Sequence, residues 1–380
     1  MKSGEFLFKS NLAQLIFQKL AEVAMERRRT QFSLKLKHDH LAPPTVYFLA
    51  PDRQAPSGGR RVIYRHVDIL NAHGVVASVL HHRRGFSYNW FEHETRIADV
   101  TSVTVRPDDL IVVPEVDCDL IPKLPLEVRY IIFNQNSHLT WSRSSGDELQ
   151  CYMRDPRLAA VVTVSAHNQA MLGRAYPESP IKRIRISIDP AMFNALTDHR
   201  PRRITYMPRR GREDAEKVFE ILRARGRLDG WEVTPLDRLT HEQVAAALRC
   251  SRIFLAFTYQ EGFGLPAAEA MACGNYTIGN DGFGGREFFR PEFSARVETG
   301  DILGFVDAVE DAILNERSDP QWCCSRGRLA SEYILREYSP SHEIEDVVAL
   351  YSALISGSEP ASLSKRTSST TKIVPRQPQR

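Results

Sequence analysis

The feature that most constrains this chain is an alternation of short apolar runs with amphipathic helices, which begins at Thr45. Runs such as TVYFLAPD, LIVVPEV and VRYIIFNQ end in turn residues, and RVIYRHVDILNAHG between two of them has helical apolar spacing. Helices that connect successive strands in this way cross over a sheet whose strands are parallel. The alternation therefore predicts an α/β fold built from doubly wound parallel sheets.

A break in this alternation predicts two such units. The polar, Pro-containing segment ISIDPAMFNALT interrupts the series, and RITYMP starts a second one. A chain of 380 residues is also long enough for two domains and an appendage. The predicted segments are an amphipathic helix and lead-in at 1–40, a Rossmann-like domain at 41–197, a second Rossmann-like domain at 198–338, a C-terminal helix at 339–356 that packs back on the first domain, and a disordered basic tail at 357–380.

Composition indicates a globular protein of the cytoplasm. Hydrophobic residues make up 42% of the chain and charged residues 26%, which is ordinary for folded domains. No apolar run has the roughly 18 residues that suggest a membrane-spanning helix, and charged residues interrupt any signal-peptide core near the N-terminus. The six cysteines show neither a CxxC pair nor metal-ligand spacing. We therefore expect a reducing compartment and no bound metal.

The charge is concentrated at the two ends of the chain. The net charge is +3, but residues 1–37 carry +5 and residues 357–380 carry +4, which leaves −6 for the middle. This distribution argues against a nucleic-acid-binding core, which needs a basic face within the fold. The basic ends allow peripheral contact with an anionic membrane. The apolar spacing over 10–30 fits either a helix on a membrane or one packed on the body.

The most informative segment is RIFLAFTYQEGFGLPAAEAMACG, which reads as a strand, a glycine turn and a helix. Gly262, Phe263 and Gly264 form the turn, and Pro266 falls at the start of the helix, where proline is favoured. No Ser, Thr, Asp or Asn stands immediately before Pro266, so the first backbone N–H groups of the helix have no predicted side-chain cap. Such helix N-termini bind phosphate groups.

Two carboxylates flank this turn. Glu261 lies at the carboxyl end of the strand, which is the edge where open α/β sheets bind their ligands. Glu269 lies about one turn into the helix, and its side chain leans back toward the helix N-terminus, within reach of a ribose. Each feature alone is common in proteins without such a role. Their combination indicates a nucleotide site.

The run E-GFGLPAA-E followed by GNDGFGG resembles the Glu-x7-Glu signature of retaining GT-B nucleotide-sugar glycosyltransferases, the group 1 or family 4-like type. The resemblance implies a GT-B fold, in which two Rossmann-like domains face a cleft, and transfer of a sugar from a nucleoside-diphosphate donor to a hydroxyl of a glycan, polysaccharide or lipid-linked acceptor. It implies retention of configuration and no metal or other cofactor. By this resemblance Glu261 contacts the transferred sugar and Glu269 holds the donor ribose. The backbone of Gly262, Phe263 and Gly264 then lies near the sugar and the pyrophosphate.

The resemblance also points to cationic residues for the diphosphate. Arg209 and Arg210 follow the first strand of the second unit, where these enzymes carry an Arg/Lys pair. Arg212 and Lys217 have the family's Arg-x4-Lys spacing as well, and a solvated basic turn is a further interpretation. The choice between them stays open.

Two positions in the first unit complete the candidate site. Gly59 belongs to a Pro-Ser-Gly-Gly loop between a strand and a helix. In the resembling enzymes this loop approaches the donor phosphates and the acceptor, whereas Ser57 as a helix cap is an equally good explanation. His138 ends the strand of FNQNSHLTW, and by the resemblance it helps to position the donor sugar.

Three other functions fit parts of the sequence. Gly262 to Ala267 matches the Gly-x-Gly-x-x-Ala dinucleotide fingerprint, with Asp281 downstream, as in an NAD-dependent oxidoreductase. Asp117-Cys118-Asp119 fits the Asp-x-Asp pair of a metal-dependent GT-A transferase. A non-catalytic module that binds a nucleotide-sugar or glycan has the same expected fold.

Overall fold

Two parallel β-sheets, one in each half of the chain, organise the protein. In the computed structural model, the described residues are 19–20, 22–38, 42–196, 200–209 and 211–357. We call the unit built on the first sheet the first domain and the unit built on the second sheet the second domain.

The first domain contains a seven-stranded parallel sheet. Its half of the chain forms β1 (Lys35–Leu36), β2 (Val46–Ala50), β3 (Ala77–His81), β4 (Ile97–Asp99), β5 (Thr104–Val105), β6 (Leu110–Pro114), β7 (Arg129–Asn134), β8 (Leu158–Thr163) and β9 (Ile181–Arg183). The strand order is β4-β3-β2-β6-β7-β8-β9, and β1 pairs with β5 separately. The central strands β3 and β6 are buried along their whole length, as expected for a sheet with helices on both faces.

The second domain contains a five-stranded parallel sheet. Its strands are β10 (Arg203–Tyr206), β11 (Glu232–Pro235), β12 (Ile253–Ala256), β13 (Tyr276–Gly279) and β14 (Ser294–Arg296). They lie in the order β11-β10-β12-β13-β14. Strands β12 and β13 are fully buried between helices.

Helices connect the strands and cover both sheets. They are α1 (Gly58–Ala72), α2 (Gly146–Arg154), α3 (Ala166–Ala175), α4 (Arg212–Ala224), α5 (His241–Arg249), α6 (Leu265–Ala272), α7 (Ile302–Ser318), α8 (Trp322–Glu337) and α9 (Pro340–Ser356). Three 3-10 segments are Glu115–Lys123, Ser137–Leu139 and Gly284–Glu287. The prediction of an α/β protein with two doubly wound parallel sheets is confirmed.

Helix α9 returns from the second half of the chain and packs on α1 of the first domain. Its fully buried Glu343 accepts hydrogen bonds from Arg65 at 2.9 Å and from the Ser187 backbone N–H at 3.2 Å, and its carboxylate lies 3.2 Å from His66 Nε2. Burial alone would raise the pKa of Glu343, but Arg65 and His66 outweigh it and lower this pKa to about 2. A carboxylate held so strongly fixes α9 on the first domain.

The described part of the N-terminal segment lies against the first domain. Residues 22–30 are helical, and the buried Arg29 pairs with Asp117 at 2.7 Å and with Asp119. Residues 10–18 and 21 of the helix predicted over 10–30, and the tail predicted beyond Gly357, lie outside the described residues. In the described part of the chain, no helix combines the length and the apolar character needed to cross a bilayer.

Candidate functional site

The strand order places a topological switch point in each sheet. In the first sheet the order reverses between β2 and β6, and in the second it reverses between β10 and β12. In open α/β sheets, ligands bind outside the carboxyl ends of the strands at such points. The loop to Gly58 and Gly59 follows β2, and the loop to Glu261 follows β12. The two loops approach each other across the boundary between the domains.

The glycine turn after β12 leads into a helix with an open N-terminus. Gly264 is the N-cap of α6 and has φ 95°, a left-handed conformation that favours glycine. It cannot supply a capping side chain, and Pro266 lies in the first turn as predicted. Because the first turn of α6 also contains no acidic residue, the N–H groups at this end keep their partial positive charge.

A second helix N-terminus meets α6 from the first domain. Gly58 begins α1, and a β-carbon on it would lie 2.5 Å from Leu265 Cδ1, at the start of α6. Ser57 occupies the N-cap position of α1, but its side chain makes no capping hydrogen bond to the described residues, and the first turn contains no acid. The predicted serine cap is therefore absent from the described structure. Two helix ends with partial positive charge therefore lie close together here.

The two domains also touch at Gly262. A β-carbon there would overlap the carbonyl oxygen of Gln135 and lie 3.1 Å from Asn136 Cα, both in the loop after β7. Asn136 donates a hydrogen bond from Nδ2 to the Gln260 carbonyl oxygen at 2.8 Å. Gly59 belongs to the same contact, because a β-carbon on it would lie 3.0 Å from the Gln135 side chain. The glycine loop of the first domain and the glycine turn of the second therefore both border the loop that contains Gln135.

Glu269 lies in this cleft and is almost completely buried. Its side chain is 7% exposed, and Oε1 accepts a hydrogen bond from Arg61 Nη2 at 3.2 Å. His241 Nε2 lies 3.1 Å from the same oxygen. Arg61 comes from α1 of the first domain, whereas His241 and Glu269 belong to the second. The sequence reasoning did not identify Arg61 or His241.

Glu261 lies beside a group of rings from both domains. Its backbone N–H donates to the Gly282 carbonyl oxygen at 2.8 Å, and the residue forms an isolated β-bridge with Phe283. The Phe283 ring lies 5.3 Å from both His138 and His167 of the first domain. Burial lowers the pKa of both histidines, and the neighbouring His138 lowers that of His167 further. Two histidine rings with lowered pKa thus pack against Phe283, the bridge partner of Glu261.

Phe263 has a different environment from its glycine neighbours. It is 4% exposed, and its ring packs 5.3 Å from Phe288 and 5.0 Å from Tyr338. The side chain therefore belongs to the hydrophobic core. A ligand in the cleft can reach only the backbone of this residue.

The candidate cationic residues for the diphosphate are less closely grouped than the residues around Glu269. Arg209 is exposed after the end of β10, and Arg210 lies outside the described residues. Arg212 pairs with Asp237 at 3.5 Å, and Lys217 pairs with Asp214 at 3.4 Å. The alternative pair is thus engaged with acids on the surface of its own domain.

The aspartates of the two competing motifs have arginine partners. Asp281, the ribose ligand in the dinucleotide interpretation, pairs with Arg286 at 3.1 Å and Arg296 at 2.8 Å. Asp117 and Asp119, the metal ligands in the GT-A interpretation, both pair with Arg29. These contacts favour neither competing function.

Comparisons with known proteins agree with this architecture. Residues 214–326 match the family model described as "Glycosyl transferases group 1", and this range includes Glu261 and Glu269. The chain is 27% identical over 245 residues to an alpha-1,6-glucosyltransferase of Actinobacillus pleuropneumoniae serotype 7 (strain AP76), which covers 63% of this chain and 73% of the relative.

Solved structures share the fold at low sequence identity. Sucrose-phosphate synthase from Thermosynechococcus elongatus has a TM-score of 0.62 at 16% identity and covers 83% of this chain and 100% of its own. Anabaena Alr3699/HepE, in complex with UDP and glucose, has a TM-score of 0.57 at 12% identity with the same coverage. The galactosyltransferase WaaB of the lipopolysaccharide outer core, in its apo form, has 0.57 at 11% identity and covers 82% and 99%. The chain therefore has a GT-B fold, and the family match supports its identification as a glycosyltransferase.

Proposed function

We propose that this protein transfers a hexose from a nucleoside-diphosphate-sugar to a hydroxyl of a glycan or lipid-linked acceptor, with retention of configuration and without a metal. The observation that carries the proposal is the meeting of two helix N-termini, at Gly58 and Leu265, without a capping side chain or a first-turn acid at either. Each helix end carries roughly half a positive charge. Two such ends close together repel each other, and a diphosphate bound between them would offset this repulsion.

Each of the two carboxylates would bind a different part of the donor. Glu269 lies within the first two turns of α6, so a ribose bound to it would be next to the diphosphate at the start of that helix. Glu261 lies on the other side of the glycine turn, beside Phe283 and His138, and would contact the transferred sugar. The HepE complex, which contains UDP and glucose, supports a uridine nucleotide as the first donor to test.

The leaving diphosphate gains negative charge as the glycosidic bond breaks. The helix N-termini would stabilise this charge, together with the exposed Arg209 and its neighbour Arg210. The departing phosphate oxygen would accept the acceptor's proton, so the reaction needs no separate carboxylate base. Retention is supported by the resemblance of the Glu-x7-Glu run and by the alpha linkage in the name of the glucosyltransferase relative.

Acceptor selection would fall to the first domain, whose sheet also presents its carboxyl edge to the cleft. The basic ends of the chain motivate a role at an anionic membrane on a lipid-linked acceptor. A liposome flotation assay with full-length and end-trimmed protein tests this part. If neither form floats with anionic vesicles, the membrane part of the proposal is wrong.

The proposed reaction is tested with UDP-, GDP-, ADP-, dTDP- and CMP-sugars. We expect one of the four nucleoside-diphosphate sugars, and not the CMP-sugar, to raise the melting temperature, because ligand stabilisation follows affinity. The same donor should be hydrolysed slowly when no acceptor is present. Hydrolysis separates an enzyme from a non-catalytic binding module. Glu261→Gln should abolish turnover without changing the melting temperature, whereas Glu292→Gln, which changes an exposed acid of the same domain, should leave both unchanged. Full activity in Glu261→Gln would overturn the assignment.

A further inference from the structure

Arg61 is the residue through which the first domain reaches the candidate ribose site. It lies in the first turns of α1, three positions after Gly58, and its side chain is 21% exposed. Its guanidinium crosses the domain boundary to Glu269 and His241. The ribose site of the second domain is thus completed by a cation that the first domain supplies.

The burial of Arg61 makes this contact with Glu269 important for the closed arrangement. An arginine stays protonated in proteins, so its charge needs a partner when water is excluded. Burial lowers the pKa of Arg61, and the charge of Glu269 opposes that effect. The two residues are therefore held as an ion pair across the domain boundary.

The geometry leaves one oxygen of Glu269 unused by the described residues. Arg61 Nη2 lies 3.2 Å from Oε1, and His241 Nε2 lies 3.1 Å from the same atom. Arg61 Nη1 also lies 2.7 Å from Nδ1 and 2.6 Å from Nε2 of His241, so Arg61, His241 and Oε1 of Glu269 form one polar cluster. In the described part of the chain, no donor bonds to Oε2. A carboxylate has about four acceptor positions, so Oε2 keeps the capacity to accept two hydroxyl groups.

We propose that Arg61 is a positioning residue that makes nucleoside binding depend on domain closure: with His241 it fixes Oε1 of Glu269 and leaves Oε2 to accept the two ribose hydroxyls. This inference rests on the proposed function. When the cleft opens, Arg61 leaves with the first domain and Glu269 is free to rotate and to bind water. Closure and ribose binding then favour each other, as linkage requires.

Two other roles for Arg61 predict different results. If Arg61 blocks Glu269 until the donor displaces it, removing the guanidinium should tighten nucleotide binding. If Arg61 contacts only the phosphates, removing it should weaken every diphosphate equally, whether or not the ribose carries hydroxyl groups. A probe that lacks the ribose hydroxyls separates these roles from the proposed one.

The experiment measures dissociation constants by calorimetry for UDP and for 2′,3′-dideoxy-UDP, and GDP and ADP with their dideoxy analogues are measured in parallel. For the nucleotide that binds best, we expect the wild type to prefer the ribose form by about tenfold. Arg61→Gln should reduce this preference to less than about threefold and weaken binding of the ribose form. Glu269→Gln should reduce this preference as well. The double variant, with both Arg61→Gln and Glu269→Gln, should lose no more of the preference than Glu269→Gln alone, because the two residues act as one unit.

Arg225→Gln is the matched control, since it removes an arginine that pairs with Glu310, remote from the cleft. The preference of Arg225→Gln for the ribose form should equal that of the wild type. If Arg61→Gln does not fold, His241→Ala is measured in its place. The preference of His241→Ala for the ribose form should be at least twofold smaller than that of the wild type. An unchanged preference, an equal loss for both nucleotide forms, or tighter binding of the ribose form overturns the inference. If the wild type binds none of these three nucleoside diphosphates and does not bind dTDP, the proposed function itself fails.

Discussion

Gly262 provides a perturbation that separates closure of the cleft from folding of the domains. A β-carbon there would lie 2.8 Å from the Gln135 carbonyl carbon in the opposite domain. The carbonyl oxygen of Gln135 lies nearer still, and atoms in contact prefer at least about 3.5 Å, so an alanine would force the two loops apart by more than about 1 Å. Gly262 is not one of the glycines with a positive φ. Its backbone conformation therefore accepts an alanine without strain.

The expected effect is on catalysis. A displacement of about 1 Å between reacting groups costs roughly 100-fold in rate, so Gly262→Ala should lower kcat/KM by about 100-fold or more. The melting temperature should change little, because neither sheet is disturbed. The assay is sugar transfer from the nucleotide-sugar that stabilises the wild type, with thermal denaturation in parallel.

Gly173→Ala is the matched control for this experiment. Gly173 lies within α3, and a β-carbon there would meet no atom within 4 Å. We expect it to keep wild-type kcat/KM and to gain about 0.5–1 kcal/mol of stability, since alanine is the better helix former. Wild-type activity in Gly262→Ala would refute the claim that the two loops must touch for transfer.

Three further predictions concern pH and metal ions. The pKa of Glu343 is lowered to about 2 from 4.5, so its stabilising effect is present above about pH 4.5 and is lost as the pH falls toward 2. In urea titrations, Glu343→Gln should therefore lose less stability than the wild type when the pH is lowered over this range. Burial raises the pKa of Glu115 to about 7 from 4.5, so the stability it contributes is present below about pH 4.5 and is lost as the pH rises through 7. Glu115→Gln should therefore flatten the urea stability profile between pH 5 and 8, and a profile like that of the wild type would contradict this. Because Asp117 and Asp119 both pair with Arg29, transfer should survive EDTA, and loss of activity that Mn²⁺ restores would contradict metal-independent catalysis.

The sequence predicted those parts of the fold whose signal is local. The apolar run that became β12, the glycine turn and the helix α6 are contiguous, so their order and the position of Pro266 follow from residue preferences alone. Strands β1 and β5 were not predicted, because each has only two residues and too few side chains to form a pattern. Hydrogen bonding to a neighbouring strand, rather than the residues themselves, defines them.

In the candidate site, the sequence predicted only those residues that belong to a single short motif. Arg61 lies 208 positions from Glu269, and His241 lies 28 positions from it. No spacing rule connects Arg61 with Glu269, which meet across the domain boundary, and none connects His241 with Glu269, which lie on two different helices of the second domain. His138 was identified at a strand end, but its neighbour His167 lies in the first turn of another helix and gave no separate signal. Phe263 was named with the glycine turn, although its aromatic side chain was equally suited to the core position that it occupies.

The central claim is that a nucleoside diphosphate binds between the N-termini of α1 and α6, and a crystal structure of the protein with UDP tests it most directly. GDP or ADP replaces UDP if the melting-temperature panel selects it. We expect the diphosphate oxygens within hydrogen-bond distance of backbone N–H groups near Gly58 and Leu265, and the ribose hydroxyls on Glu269. A nucleotide bound elsewhere, with the two helix ends still in direct contact, would contradict the account.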